Sequence, residues 1–285
     1  DDTVVKTVSA PALDLTSVVD FWTRRFATDT SIDGGRWPVE DLYYGLIQRF
    51  LRRVVVPEPA AFEAIHGRST LFLANHQTGV EPLVSGSGGS RPGGTATVTM
   101  AKVGHKATWL GDLVRHSFTW PGVEDPRVIT YFDREDKASL PTIIGELAGE
   151  MATTGRSVMV HIEGTRSMEC RTPVQKMSGA FIDMALKVGV PIVPVRFVGG
   201  LPVEPMDHRI EFPTGMGQQD IWLGAPILPE DLEGMHYGAR KQAIIDAING
   251  LGPASSDEQP LPGDAAFAED VAAWSASRGV TPEHA

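Results

Sequence analysis

The chain has 285 residues, 42% of them hydrophobic and 21% charged, the composition of an ordinary folded protein, which excludes disorder as a description of the whole. Its 25 basic and 36 acidic side chains give a formal charge of -11 and a pI near 5.2, excluding nucleic acid as a main partner and broad adhesion to anionic lipid, since both demand a basic face. A single cysteine, Cys170, excludes an internal disulfide and a cysteine-rich metal site, and it reads as a small semi-buried residue.

The length suits one large α/β domain with additions, divided as an N-terminal helical segment packed on the core (1–60), an α/β domain (61–252) and an acidic, linker-like tail (253–285). The first segment predicts a helix around Leu15 to Phe26, then a turn at Ser31-Ile32-Asp33-Gly34-Gly35. In Glu40 to Val55 the apolar Leu42, Leu46, Ile47, Phe50, Leu51 and Val54 recur at three- and four-residue steps, while Arg49, Arg52 and Arg53 take the other side. That spacing predicts an amphipathic helix, which either buries one stripe and solvates the other or makes peripheral contact with lipid or an acidic partner.

From residue 69 short apolar, β-branched runs alternate with helical stretches. Thr70 to Ala74, Thr95 to Ala101, Val128 to Phe132, Ser157 to Ile162 and Val190 to Val198 read as strands, and Lys137 to Thr153 and Lys176 to Val188 as helices. Alternation of this kind predicts a mostly parallel central sheet flanked by helices. Ser85 to Gly94 reads as a mobile connection and not a phosphate cradle, because it lacks the Lys-Ser/Thr ending of a P-loop. The tail carries six acids against the one base Arg278, with one short helix near Phe267 to Ala276. No apolar run reaches eighteen residues and no leader pattern opens the chain, so neither a transmembrane helix nor a secretion signal is predicted, and the expected compartment is the cytoplasm. The first residue, Asp rather than Met, predicts a processed or excised chain.

Three clusters carry chemistry. Asn75-His76-Gln77-Thr78-Gly79-Val80-Glu81 follows the run Leu71 to Ala74, which puts His76 at a strand's carboxyl end, the edge where open α/β sheets bind ligands. Glu81 can fold back on His76; a carboxylate on one ring nitrogen fixes the tautomer and lets the other nitrogen act as a general base. A satisfied structural histidine has the same local sequence. Arg134, after the strand ending at Phe132, offers a guanidinium for phosphate or carboxylate, or else a salt bridge to Asp133, Glu135 or Asp136. Glu163-Gly164-Thr165-Arg166-Ser167 follows the strand ending at Ile162: Gly164 permits a tight turn, Thr165 and Ser167 bring hydroxyls, and Arg166 a second fixed positive charge.

These blocks, with Val190-Pro191-Ile192-Val193-Pro194-Val195, resemble in order and spacing the four blocks of the 1-acylglycerol-3-phosphate acyltransferase family of glycerolipid acyltransferases: N-H-x4-D, an apolar segment ending in D-R, F-P-E-G-T-R-S and V-P-I-V-P-V. The resemblance covers roughly residues 69 to 200. It implies a glycerolipid acyltransferase-like α/β fold, His76 and Glu81 as the catalytic pair, and Asn75, Lys102, Arg134, Glu163, Gly164, Thr165 and Arg166 as substrate-binding residues. Lys102 resembles the lysine often found between the first two blocks. Two positions depart from the pattern: Glu81 replaces the aspartate, and His161-Ile162 replaces the Phe-Pro before Glu163. His161 is either a second acid/base group or a strand residue with a local hydrogen bond. The N-H-Q-x-G-x-E block is also similar to acyltransferase-like domains within bacterial polyunsaturated fatty acid and polyketide synthases.

The activity this resemblance implies is transfer of a fatty acyl group from a thioester to a hydroxyl, such as that of a lysophospholipid or glycerol phosphate. No cofactor is bound permanently and no metal is called for; the donor is acyl-CoA or the acyl-phosphopantetheine of an acyl carrier protein. Water as acceptor would make the same constellation a thioesterase, and a catalytically silent domain that docks a carrier protein is the reading from another class.

Overall fold

The computed structural model describes residues 3–7, 50–81, 97–102, 129–132, 136, 138–210 and 218–278. Among the described residues eight strands form one sheet: β1 Val4–Thr7, β2 Leu51–Val56, β3 Leu71–Ala74, β4 Thr97–Lys102, β5 Ile129–Phe132, β6 Ser157–His161, β7 Ile192–Val198 and β8 Gln219–Leu223. Their order is β1-β2-β8-β7-β3-β6-β4-β5. The block β7-β3-β6-β4-β5 is parallel throughout, as the alternating strands and helices of the sequence require. The expected mostly parallel sheet is mixed on the other side: β2 pairs with β8 in parallel, but β8 runs antiparallel to β7 and β1 antiparallel to β2. The antiparallel course of β8 bears on the site, because β8 begins at the edge where β7 and the strands parallel to it end.

Helices α1 Ser139–Thr154, α2 Ala180–Val188, α3 Pro229–Glu233, α4 Tyr237–Asn249 and α5 Ala265–Arg278 accompany the sheet. Residues Leu71, Leu73, Val158, Val160 and Ile192 share one sheet face through the β3 registers with β6 and β7. Against them pack Leu147 and Met151 of α1, Phe181, Ile182, Met184 and Ala185 of α2, and Ile244, Ile245 and Ile248 of α4. Each helix supplies residues three or four apart, so one stripe is buried, and each fully buried Leu or Ile contributes about 1.5–3 kcal/mol of transfer free energy. Phe72 and Met159, on the opposite face, are equally buried, which accounts for the continuous apolar runs of these strands. Helix α2 stops at Gly189, which takes φ 75° and donates its N–H to Ala185 and Leu186, a left-handed cap that a side chain would strain.

Of the helix expected over Glu40 to Val55 the structure describes only the end: Phe50 is helical, and the helix does not continue to Val55 because Leu51–Val56 is strand β2. The β-branched run Val54-Val55-Val56 favours extended backbone. Arg52 and Arg53, read as a solvated helix face, both bind the buried carboxylate of Asp220 on the neighbouring β8, at 2.6 and 2.8 Å. The segment 1–60 therefore contributes strands β1 and β2 to the sheet, and the expected helix at Leu15 to Phe26 lies outside the described residues, as does the expected loop at Ser85 to Gly94. The tail also carries more structure than its composition suggests. Glu258 is buried, Leu261 donates its N–H to the Gly199 carbonyl at 3.0 Å, and α5 follows close to the helix expected near Phe267 to Ala276. Among the described residues no helix is long and apolar enough to cross a membrane.

Candidate active site

The register pairs Ala74 of β3 with His161 of β6 and with Val195 of β7. Two residues further on, His76 and Glu163 leave the central strands side by side at the carboxyl edge of the sheet. Asn75 extends the ladder with its side chain: Nδ2 donates to the Phe197 carbonyl at 2.8 Å and Oδ1 accepts the Phe197 N–H at 2.7 Å. Both ends of its amide are thus spent on β7, and the loop that follows leaves the sheet from a fixed point.

That loop folds Glu81 back beneath His76. Glu81 Oε2 lies 2.7 Å from His76 Nδ1. The carboxylate is fully buried, with every hydrogen bond to it drawn from the protein: the Gln77 N–H at 3.0 and 3.1 Å, the Thr78 N–H at 3.0 Å, and Gln219 Nε2 at 2.7 Å. Burial pushes the Glu81 carboxyl up to about 6, opposed by its electrostatic interaction with the neighbouring His161 and by the Gln219 and amide donors. At neutral pH it is the anionic partner of His76, so His76 carries its proton on Nδ1 and keeps its lone pair on Nε2, the form a general base needs. The His76 side chain is 17% exposed, and the acid beneath it is sealed from water.

The turn after β6 braces the same backbone. Glu163 Oε2 accepts the His76 N–H at 3.2 Å, and Ser167 donates its N–H to the His76 carbonyl at 2.8 Å. Gly164 turns the chain with φ 69°, a left-handed conformation that costs glycine nothing. Glu163 is pushed up to about 7, first by burial and then by the nearby Glu81 charge, against the pull of the His76 N–H. Arg166 donates from Nη1 to the Ile210 carbonyl at 2.6 Å, and Ile210 also accepts the Gly79 N–H at 3.1 Å, so the two loops meet on one carbonyl. Thr165 is exposed at the tip of the turn.

The structure brings together His76, Glu81, Asn75, Glu163, Gly164, Thr165 and Arg166. The backbone of Lys102 closes β4 at the same sheet edge. Arg134 lies outside the described residues, two positions beyond the end of β5. Sequence reasoning missed Gln219, at the start of antiparallel β8, as well as Gln77 and Glu258. Gln77 sits inside the motif, and its polar side chain in a buried loop was the available signal; nothing local marked the other two.

His161 is half of an unexpected pair. Its ring stacks on His76, and its Nδ1 donates to the Asn75 carbonyl at 2.7 Å. Burial first, and the charge of His76 second, hold His161 down to about 3, so it stays neutral. Its buried Nε2 has no hydrogen-bond partner among the described residues.

His76, Glu81 and His161 place nitrogen and oxygen atoms within 4.8 Å of one another, close enough to invite comparison with a metal site. The donor geometry argues otherwise. Imidazoles bind metals through lone pairs in the ring plane, and two nearly parallel stacked rings send those lone pairs alongside each other, not to a common point. Both Nδ1 atoms are also engaged, one by Glu81 and one by Asn75. Cys170 is buried and burial pushes its thiol up, the opposite of what a nucleophile requires.

Residues 59–198 match the family model described as Acyltransferase. No curated protein is a match to the chain. The matched span contains the histidine loop, the Glu163 to Ser167 turn and the parallel strands β3 and β6 that carry them to one edge; through these residues the chain contains a domain of the acyltransferase family, the glycerolipid acyltransferases whose sequence blocks it resembles.

Proposed function

We propose that this acyltransferase domain moves a fatty acyl group from a thioester to a hydroxyl acceptor, with His76 as general base and Glu81 as the carboxylate that orients it. The observation that supports this most directly is the 2.7 Å contact between His76 Nδ1 and a fully buried Glu81 Oε2, at the sheet edge where ligands bind. In the reaction, His76 Nε2 takes the proton from the acceptor hydroxyl as its oxygen attacks the thioester carbonyl. A carbon–oxygen bond forms, the carbon–sulfur bond breaks, and the thiolate leaves with the proton that His76 held. Ester and free thiol are the products, and no acyl-enzyme is required.

Glu163 and the Ser167 N–H hold the His76 backbone, so the imidazole meets the acceptor from a fixed position. Arg166, with Arg134 and Lys102 in the reading from sequence, supplies positive charge for a phosphate of the acceptor or of the pantetheine donor. The donor is acyl-CoA or an acyl carrier protein; the acceptor is a lysophospholipid, a glycerol phosphate or a similar alcohol. The test is incubation with acyl-CoA and acyl-carrier thioesters, with and without alcohols, and mass spectrometry of the products. Acylated alcohol formed by the unmutated protein and lost in a stably folded His76→Ala variant supports the proposal. Hydrolysis indifferent to every alcohol would replace it with a thioesterase, and carrier binding without turnover with a docking domain.

A further inference from the structure

We propose that Gln219, Gln77 and Glu258 form a positioning relay for the general base, a buried chain of amides through which the C-terminal segment fixes the Glu81 carboxylate and so the His76 ring. The proposal rests on His76 and Glu81 serving as the base of the acyl transfer.

The relay works because each amide has a donor end and an acceptor end, and its neighbour decides which way it faces. Glu258 is a carboxylate and only accepts, so Gln77 turns its Nε2 toward Glu258 Oε1, at 2.7 Å. That turns Gln77 Oε1 the other way, where it accepts the Gly200 N–H at 3.1 Å and Gln219 Nε2 at 3.3 Å. With the Gln77 oxygen beside it, Gln219 must present Nε2, which then also reaches Glu81 Oε1 at 2.7 Å. Gln219 Oε1 accepts the Thr78 hydroxyl at 3.0 Å, consistent with the orientation that the acceptor-only Glu81 carboxylate imposes. Glu81, Gln77, Thr78, Gln219 and Glu258 are all buried, so water cannot substitute for a missing donor.

The far end is anchored as firmly as the near one. Glu258 accepts from Arg196 Nη2 at 3.0 Å and from the Gly199 N–H at 2.9 Å. Arg196 Nη1 in turn bonds the carbonyls of Asn249, Leu251 and Pro253, which lead into the segment that carries Glu258. Two glycines make the approach possible. A Cβ on Gly199, itself at φ 91°, would lie 2.5 Å from Leu261, and one on Gly200 would lie 2.7 Å from the Gln219 amide. Any side chain at either position pushes the tail or the relay amide away. Gln219 and Glu258 both lie beyond the family-matched span of 59–198, so this support is built by parts of the chain outside the shared blocks.

Glu258→Gln removes the charge that anchors Gln77 Nε2 and gives residue 258 a donor of its own, which weakens the hold on Gln77 and so on the Gln219 amide beside Glu81. Gln77→Leu cuts the relay while leaving the Arg196–Glu258 pair intact, and it serves where the first variant fails to fold. In the 285-residue chain, each is compared with the unmutated protein by kcat and KM measured separately, and by the NMR signal of the His76 Nδ1 proton, assigned through its loss in His76→Ala. The expected result is a fall in kcat of about 10-fold or more with KM within about twofold, and a shifted or exchange-broadened Nδ1 signal. A folded variant with the unmutated kcat and an unmoved Nδ1 signal overturns the relay. Full turnover in His76→Ala overturns the acyl-transfer reading instead, and the Nδ1 signal then decides the relay alone.

Discussion

His161 lies flat against His76, with ring centroids 3.9 Å apart and planes 18° from parallel. Two imidazolium ions could not share that stack, and burial settles which ring gives way: His161 is held neutral down to about 3. In the proposed reaction His76 is the ring that cycles its proton, and His161 serves as an uncharged wall, its tautomer fixed by the Asn75 carbonyl.

His161→Phe keeps the wall and removes the polar edge. The loss of the bond to the Asn75 carbonyl costs about 1 kcal/mol, and the removal of a buried, unpartnered Nε2 returns a similar amount. Thermal unfolding should show a change within about 1 kcal/mol, and turnover should stay within about tenfold of the unmutated protein. Loss of turnover by a factor of about 10² or more would make His161 a participant in proton transfer.

Glu81→Gln removes the anion under His76 and should lower kcat by about 10²-fold or more, since the tautomer is no longer enforced. Glu81→Asp restores the family's residue, yet the shorter arm cannot hold His76, the two amides and Gln219 together, so it too should lose activity. The pH profile of the unmutated protein is the companion measurement. Glu81 must be ionised to work and its pKa stands near 6, so turnover should fall as pH drops through about 6.

Glu163 offers a stability test with a defined sign. Its folded pKa, about 7, lies above its ordinary value of 4.5, so the folded state holds the proton more tightly and the ionised form destabilises it. Stability from this group should therefore decline as pH rises from about 4.5 through 7. Glu163→Gln removes the charge and retains an oxygen for the His76 N–H. Denaturant titrations should find this variant more stable than the unmutated protein at pH 9, on the order of 2 kcal/mol, with the difference vanishing near pH 4.5.

Asn75→Ala strips the side chain that bonds both backbone groups of Phe197. Two buried backbone partners would be left unsatisfied, at roughly 1–3 kcal/mol each, and the His76 loop would lose its origin. Chemical denaturation should record a loss of about 2 kcal/mol or more, with kcat falling alongside. An Asn75→Ala variant of unchanged stability would place the side chain's role in substrate binding instead.

Much of the parallel block could be read from the chain because its information is local. Strands β3 to β7 are short apolar, β-branched runs separated by helical stretches, and the motif residues follow strand ends in sequence as well as in space. Strand β2 was misread because Leu46, Ile47, Phe50, Leu51 and Val54 satisfy a helical period by spacing alone, while the partner that recruits Leu51–Val56 into the sheet is β8, more than 160 residues away.

By itself the sequence determined the members of the candidate site and their resemblance to the acyltransferase blocks: a histidine and an acid five residues apart, and a Glu-Gly-Thr-Arg-Ser turn, each placed at a strand end by local pattern. Only the tertiary structure decided how the pair is held. Gln219 meets Glu81 across 138 residues and Glu258 meets Gln77 across 181. A buried amide or carboxylate is placed by the partners it must satisfy, and those partners come together only when β8 turns antiparallel and the C-terminal segment packs against Gly199.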